Sequence, residues 1–415
     1  MMTTRRKNQI FILAALMLIV LFCMFGCNVK KDAEKKAEKK AEKKDKIEKI
    51  VAEHREENMK LSVELLKGSN VAYENTVISP LAVQMAMGFA INGAKGVTQS
   101  AIIDKVGMET SVLNNYLKTY IEEAPKDVRG NINFVNAIWL NSINTGLDLN
   151  SSYKDRVIEY LNAEIKQEPF SAGCEKVING WAAETTDGMV NKVVNKVDVA
   201  NWFYTINIAT FDMDWETTYN INDIEKKTFN NAKKTTSDVE MMSSIESLYI
   251  EDNGATGFIK NYYIPRYKFI AILPDEKTNL EEYVNSLDYR KLIKLLESAE
   301  NVNVKASLPS FVTYKTVDIS KTLFNIGLSS IFKSDADFSG MLKEGMATKL
   351  WKMYHTSKIT VGKKSSEGVI TSNVSNNKKK DVSYDKEVVL DRPFLYMIFD
   401  SEESIPIFIG TMNNL

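Results

Sequence analysis

Apolar residues recur at helical spacing in several stretches of the first half of the chain. In residues 47–68 (IEKIVAEHREENMKLSVELLKG) the spacing predicts a helix that ends at a glycine. In residues 75–96 (NTVISPLAVQMAMGFAINGAKG) a short apolar strand precedes a Ser-Pro pair. That pair opens a second predicted helix, because proline is well tolerated in the first helical turn. Residues 175–194 (EKVINGWAAETTDGMVNKVV) predict a third helix, punctuated by glycine.

Strand-like stretches dominate the second half. They are rich in Val, Ile and aromatic residues, as buried strands are. The predicted strands lie in residues 131–141, 202–215, 247–253, 267–275, 302–319, 394–400 and 405–414. Residues 280–298 predict one more helix. Helices in the first part and strands in the second, without alternation of strand and helix, indicate an α+β fold.

A long polar segment interrupts the strands near the end of the chain. Residues 363–387 (KKSSEGVITSNVSNNKKKDVSYDKE) follow the strand-like KITVG and show neither a helix pattern nor a core pattern. Structureless connections of this length inside a domain tend to be functional.

From residue 366 to residue 376, every second residue of this segment is uncharged and none is proline. The set consists of Ser366, Gly368, Ile370, Ser372, Val374 and Asn376. Since strand side chains alternate between faces, this set would turn inward if the segment became a strand, and neither charge nor proline prevents it. After this set come three consecutive lysines, residues 378–380, which suit the acidic specificity pocket of a trypsin-like protease. A solvated loop kept soluble by its lysines is the alternative interpretation.

The amino terminus has the pattern of an export signal. A basic start, an apolar run over residues 10–25 and a glycine directly before Cys27 resemble a bacterial lipoprotein signal, which predicts cleavage after residue 26 and a lipid on the Cys27 thiol. Met24 and Phe25 are bulkier than the residues usual there, so an uncleaved membrane anchor is the alternative. We therefore expect an exported protein, anchored to the cell membrane on its extracellular side.

A charged spacer follows the signal. Residues 27–46 contain the sequence AEKK three times, which predicts an extended, partly helical connection. The folded domain is then expected to cover residues 47–415.

Charge and composition exclude several classes of function. The chain has 53 basic and 54 acidic side chains, so no overall field favours a nucleic-acid partner. The two histidines, His54 and His355, stand outside any zinc or catalytic motif, and the domain holds only Cys174 besides the anchor. We therefore expect no catalytic residues, no metal, no cofactor and no intramolecular disulfide.

Nine segments, taken in order, resemble the serpins, a family of serine protease inhibitors, and the resemblance extends over residues 47–415. The segments are NTVISPLAVQMAM, NFVNAIWL, INGWAAETTDGMV, NIATFDMDWE, AILPDE, ASLPSFVTYKTVDISKTLFNIGLSSIF, ADFSG, DRPF and IFIGTMNN. The resemblance implies helices packed around three β-sheets, an exposed reactive-centre loop, and a monomer that acts as a suicide substrate. Cleavage of the loop by the target protease would be followed by insertion of the loop into the central sheet.

The resemblance also assigns roles beneath and beside the central sheet. Ser79 and Pro80 match the opening motif below the strands that must part. Asn207 and His355 match a hydrogen-bonded pair in the same place, and Trp215 matches the residue where the loop first enters. The family has a serine at the position of Ala82, two residues after Pro80.

The hinge of the loop departs from the family pattern. By the resemblance it comprises Ser365, Ser366, Glu367, Gly368, Val369, Ile370, Thr371 and Ser372. The family usually has an acid at the position of Lys363, glycine at Ser365, and alanines where Val369 and Ile370 stand, so slower insertion is expected here.

The usual hinge length places the reactive bond between Lys379 and Lys380. A lysine there implies a trypsin-like serine protease as the partner. A non-inhibitory serpin that serves as a protease substrate or as a binding or structural lipoprotein is one alternative. An inhibitor of papain-like cysteine proteases is another.

Overall fold

The computed structural model describes residues 54–144, 146–343, 352–363 and 383–415. Helix α1 covers residues 54–69. The further helices are α2 (Pro80–Gly93), α3 (Gly96–Val106), α4 (Thr110–Glu123), α5 (Ser151–Leu161), α6 (Cys174–Thr185), α7 (Leu280–Ser286), α8 (Tyr289–Glu297) and α9 (Ile319–Leu323). Short 3-10 or π turns occupy Ile221–Asp223, Phe324–Leu328 and Ser329–Phe332. No helix of the described ranges is both long and apolar enough to cross a membrane.

Fifteen strands of the described residues build two hydrogen-bonded sheets. They are β1 (Thr76–Ile78), β2 (Lys126–Asp127), β3 (Gly130–Asn141), β4 (Ala163–Glu168), β5 (Phe203–Met213), β6 (Ile224–Asn230), β7 (Thr236–Asp252), β8 (Ala255–Asn261), β9 (Tyr267–Pro274), β10 (Glu300–Pro309), β11 (Phe311–Asp318), β12 (Lys352–Val361), β13 (Lys386–Val389), β14 (Phe394–Asp400) and β15 (Ile405–Met412). Together with the helices they form the α+β architecture that the sequence pattern predicts.

The six-stranded sheet, called the central sheet below, has the order β11-β12-β5-β3-β2, with β4 beside β3. Strands β12 and β5 run parallel, in a register that extends from Lys352 opposite Tyr204 to Ile359 opposite Phe211. On its other side β12 pairs antiparallel with β11. The two middle strands of this sheet therefore bond directly to each other.

The nine-stranded sheet has the order β1-β15-β14-β9-β8-β7-β10-β13, with β6 also paired to β7. Strand β7 has 17 residues, of which the first part pairs with β6 and β10 and the last part with β8. Because β7 is long, it forms hydrogen bonds both with β6 and β10 and with β8. The second and third sheets implied by the resemblance are thus the two halves of one sheet, continuous through β7.

Helix α2 forms the core between the two sheets. All 14 of its residues are buried, and the helix packs against β5 and β12 on one side and β15 on the other. A helix that is apolar all round is expected in such a position, because no face of it meets water.

Helix α6 and the segment after it cover the opposite face of the central sheet. Trp181 of α6 meets Trp139 of β3 edge to face, with ring centroids 5.7 Å apart, and residues 190–197 add four buried valines. The helix predicted over 175–194 ends at Thr185, because Asp187 and Gly188 adopt left-handed φ angles of 50° and 78°. The valines beyond the helix still pack on the sheet.

Candidate functional site

The candidate site is the boundary between β12 and β5, together with the point where the chain leaves β12. The chain continues from Val361 through Gly362 and Lys363, and it returns in β13, which belongs to the other sheet. A strand that turned back directly after Gly362 would run antiparallel to both β12 and β5, because these two are parallel to each other. A strand in that direction, placed between them, would form an antiparallel boundary with each of the two.

The predicted hinge, residues 365–372, and the predicted reactive bond, Lys379–Lys380, lie outside the described residues. Cys27 and the charged spacer also lie outside them. The structure describes the two strands, the helix beneath them and residues 362–363, which follow β12.

Trp215 holds the base of the loop. Its indole N–H donates a hydrogen bond of 2.8 Å to the carbonyl oxygen of Gly362, the residue directly after β12. The ring is fully buried and stacks on Tyr262, with centroids 4.4 Å apart and planes 9° from parallel. Trp215 follows β5 in sequence, so its hydrogen bond links the end of β5 to the end of the neighbouring β12.

His355 lies at the middle of the same boundary, on β12, and is fully buried. Its Nε2 accepts a hydrogen bond from the backbone N–H of Ser79, at 3.2 Å, so the ring proton is on Nδ1. Nδ1 then donates to Oδ1 of Asn207 on β5, at 2.7 Å. The network thus joins the start of α2 to both strands.

The network continues through two residues that the sequence did not indicate. The Ser357 hydroxyl lies 2.8 Å from Nε2 of His355 and donates to it. On the far side, the Asn207 amide donates to Oδ1 of Asn136 on β3, at 2.6 Å, and Asn136 donates to the Leu161 carbonyl that ends α5. The sequence could have indicated Ser357, because it lies two residues after His355 and such residues share one face of a strand. It could not have indicated Asn136, because the contact of Asn136 with Asn207 depends on which strand lies beside β5.

Ser79 has a second role at the start of α2. Its hydroxyl accepts the N–H of Ala82 at 3.2 Å and so caps the helix, while Pro80 occupies the first helical turn. Ala82 stands where the family has a serine, and its methyl side chain forms no hydrogen bond. Ser79 is therefore the residue of this motif whose side chain caps α2.

Burial lowers the pKa of His355 to about 3, from an ordinary value of 6.5. The ring therefore stays neutral in the native protein at pH values where the unfolded chain binds a proton. Between those two pH values stability falls as the pH falls, by up to about 1.4 kcal/mol per pH unit from this residue alone.

We expect His355→Gln to remove this contribution. Its urea midpoint should lie well below that of the wild type at pH 7, because buried hydrogen bonds are lost, and the difference should shrink steadily from pH 6.5 towards pH 4. His54→Gln changes the only other histidine, and its urea midpoint should depend on pH as that of the wild type does. A difference between His355→Gln and wild type that is independent of pH would contradict the neutral assignment.

Within the described ranges, no group of three His, Cys, Asp or Glu side chains is placed to hold a metal ion. Cys174 is a buried free thiol at the start of α6, and burial raises its pKa. The described residues of the site contribute backbone, hydroxyl, amide, imidazole and indole groups, which hydrogen-bond β12 to β5 and to the start of α2.

Comparisons with known proteins agree with this arrangement. A family model described as Serpin (serine protease inhibitor) matches residues 56–415. The crystal structure of a thermophilic serpin, tengpin, in the native state gives a TM-score of 0.80 at 32% identity and covers 87% of this chain and 94% of that chain.

Two curated relatives show a similar extent of matching. Iripin-3 of Ixodes ricinus is 24% identical over 355 residues, which are 82% of this chain and 89% of that protein. Alpha-1-antiproteinase of Bos taurus is 25% identical over 350 residues, which are 82% of each chain.

Proposed function

Since the chain belongs to the serpin family, described as serine protease inhibitors, we propose that it is a membrane-tethered inhibitor of trypsin-like serine proteases. It acts as a suicide substrate. The serine hydroxyl of the target protease attacks the carbonyl of Lys379, and an ester forms as the Lys379–Lys380 peptide bond breaks and the Lys380 nitrogen leaves as an amine, taking up the proton of that hydroxyl. The loop then enters the central sheet before water hydrolyses the ester. The observation that carries this proposal is the direct parallel pairing of β12 with β5, at the end of which the loop begins.

Insertion replaces one parallel boundary by two antiparallel ones, which are slightly more stable per residue. Each new backbone hydrogen bond contributes about 0.5–1.5 kcal/mol net. The inward Ile370 and Val374 add about 1.5–3 kcal/mol each when they become buried. Because the inserted form gains these hydrogen bonds and this burial, it has a lower free energy than the uninserted form. The uninserted form is therefore metastable.

Lysine at the reactive bond sets the specificity. The Lys379 ammonium pairs with the acidic group at the base of a trypsin-like specificity pocket, and an uncharged side chain would leave that group unpaired. The basic loop tip thereby selects the protease class.

Mixing the protein with trypsin tests the proposal. We expect a complex that survives boiling in detergent, and we expect Lys379→Ala/Lys380→Ala to lose it. Lys294→Ala/Lys321→Ala removes the same charge from exposed positions on α8 and α9 and should still form the complex. Complete cleavage of the wild type by trypsin with no complex would overturn inhibition of this class.

A non-inhibitory serpin is the second candidate, and the hinge composition favours it. Lys363, Ser365, Val369 and Ile370 stand where the family has an acid, glycine and alanines, and bulk at the hinge slows insertion. If hydrolysis of the acyl-enzyme is faster than insertion, the loop is only a substrate. An inhibitor of papain-like cysteine proteases would instead show a complex with papain and none with trypsin.

The tether is proposed from the sequence alone. Lipidation of Cys27 would place the domain on the outer side of the cell membrane, at the end of the charged spacer. We expect Cys27→Ala to leave the membrane fraction or to remain unprocessed, whereas Cys23→Ala, inside the apolar run, should fractionate like wild type. Membrane association of both variants after normal processing would contradict lipidation at Cys27.

A further inference from the structure

Lys260 of β8 is a buried cation near the base of the loop. Its side chain is 2% exposed, and its ammonium lies 2.7 Å from a carboxylate oxygen of Glu246 on β7, which is itself only 12% exposed. The Ser244 hydroxyl also donates to that oxygen. Lysine is rarely buried to this degree, and then only with a partner.

Aromatic rings enclose the ammonium on its other sides. Its nitrogen lies 4.6 Å from the centre of the Tyr219 ring and 5.4 Å from the centre of the Trp215 ring. A desolvated cation is attracted electrostatically to the faces of such rings. Lys260 therefore contacts the same indole whose N–H donates to Gly362.

These contacts form one connected path from the larger sheet to the point where the chain leaves β12. Glu246 fixes the ammonium, the ammonium lies against the Trp215 ring, and the indole nitrogen holds the Gly362 carbonyl. Tyr262 also stacks on the Trp215 ring, with centroids 4.4 Å apart. The ion pair is thus connected to Gly362 through a single indole ring.

We propose that Lys260 and Glu246 are positioning residues that keep Trp215 bonded to Gly362 and so set how readily β12 separates from β5. The inference rests on the proposed function for its consequence in inhibition. Its structural part, the control of strand separation, stands without any protease.

The energetics of buried ion pairs give the inference a distinctive signature. Removal of one partner leaves the other charge buried and uncompensated, which is strongly destabilising, whereas replacement of both partners by apolar side chains of similar volume is often neutral or stabilising. Single substitutions should therefore loosen the loop base, and the double substitution should restore it. A site that merely fills space would not show this pattern.

The test uses Lys260→Met, Glu246→Gln and Lys260→Met/Glu246→Met. Lys305→Met is the matched control, because Lys305 makes an ion pair with Glu387 at the same 2.7 Å but at a more exposed site, 38% and 41% exposed. The first measurement is amide hydrogen exchange in β5 and β12 without protease. We expect each single variant to exchange about tenfold faster or more there, and the double variant to lie within about threefold of wild type.

The second measurement is the number of inhibitor molecules consumed per trypsin molecule trapped. Faster strand separation should lower this number in both single variants and leave it unchanged in Lys305→Met. Unchanged exchange in β5 and β12, or exchange that rises equally throughout the domain, would overturn the inference. If the wild type does not trap trypsin at all, the proposed function fails, and the exchange measurement still decides the role of the pair.

Discussion

Thr371→Pro is expected to convert the protein from an inhibitor of trypsin into a substrate of trypsin. Thr371 lies between Ile370 and Ser372 of the inward set, so its side chain would face outward in a strand. It therefore contributes little to burial after insertion. Proline removes the backbone donor at this position and is not tolerated in the middle of a sheet. An inserted strand with proline at this point would lose pairing with a neighbouring strand, and the acyl-enzyme would hydrolyse first.

The measurement is the ratio of covalent complex to cleaved inhibitor on a denaturing gel. We expect this ratio to fall by about tenfold or more, since a loss of 1.4 kcal/mol already changes a partition tenfold. Thr371→Val, which keeps the N–H group and the β-branched shape, should remain an inhibitor. Equal amounts of complex from Thr371→Pro and wild type would show that the hinge does not enter the sheet.

Cleavage of the loop is expected to raise the thermal stability of the whole domain. The severed hinge can become a strand between β5 and β12, with new backbone hydrogen bonds along both boundaries and burial of Ile370 and Val374. With about 1 kcal/mol for each bond, the rise in melting temperature should exceed about 10 °C.

Scanning calorimetry of the intact and the nicked protein measures this rise. Nicked Thr371→Pro provides the control, because its loop is cut but cannot complete the ladder, and it should melt near the temperature of the intact protein. Equal melting temperatures for intact and nicked wild type would favour the non-inhibitory alternative.

Much of the fold followed from local sequence. The α+β class, the serpin resemblance and the strand pair β14–β15 are confirmed, and Ser79 and Pro80 begin α2 as their chemistry predicts. Domain boundaries, the lipid anchor and the reactive bond stay predictions, with the family model beginning at residue 56 and the predicted domain at residue 47.

The failures have identifiable physical causes. The single helix predicted over residues 280–298 is two, because Asp288 accepts the N–H of Lys291 and starts α8 afresh. The strand predicted over residues 302–319 divides at Ser310, where β10 ends in one sheet and β11 begins in the other. In both cases a polar or irregular residue interrupts a continuous apolar pattern, and periodicity alone does not detect it.

The residues around the candidate site were harder to predict than the site itself. Asn136 lies on a strand whose neighbour β5 is fixed only by sheet order, and its partner Asn207 is 71 residues away in sequence. Lys260 pairs with Glu246 on the preceding strand, but the Trp215 ring that it also contacts lies before both of these strands. A lysine in an apolar strand gave no sign that it was buried. The role of Lys260 follows from its contacts in the folded protein, and the order of residues in the sequence does not show those contacts.

The buried position of β14 and β15 has a consequence for the severed molecule. Everything after Lys379, including both of these strands, would become a separate short polypeptide, yet β14 lies between β9 and β15 and every residue of the two strands is buried. The small fragment would stay associated under native conditions and dissociate only in denaturant. A gel of the boiled adduct would therefore show a mass below the sum of inhibitor and enzyme, with the missing carboxy-terminal peptide running alone at the front.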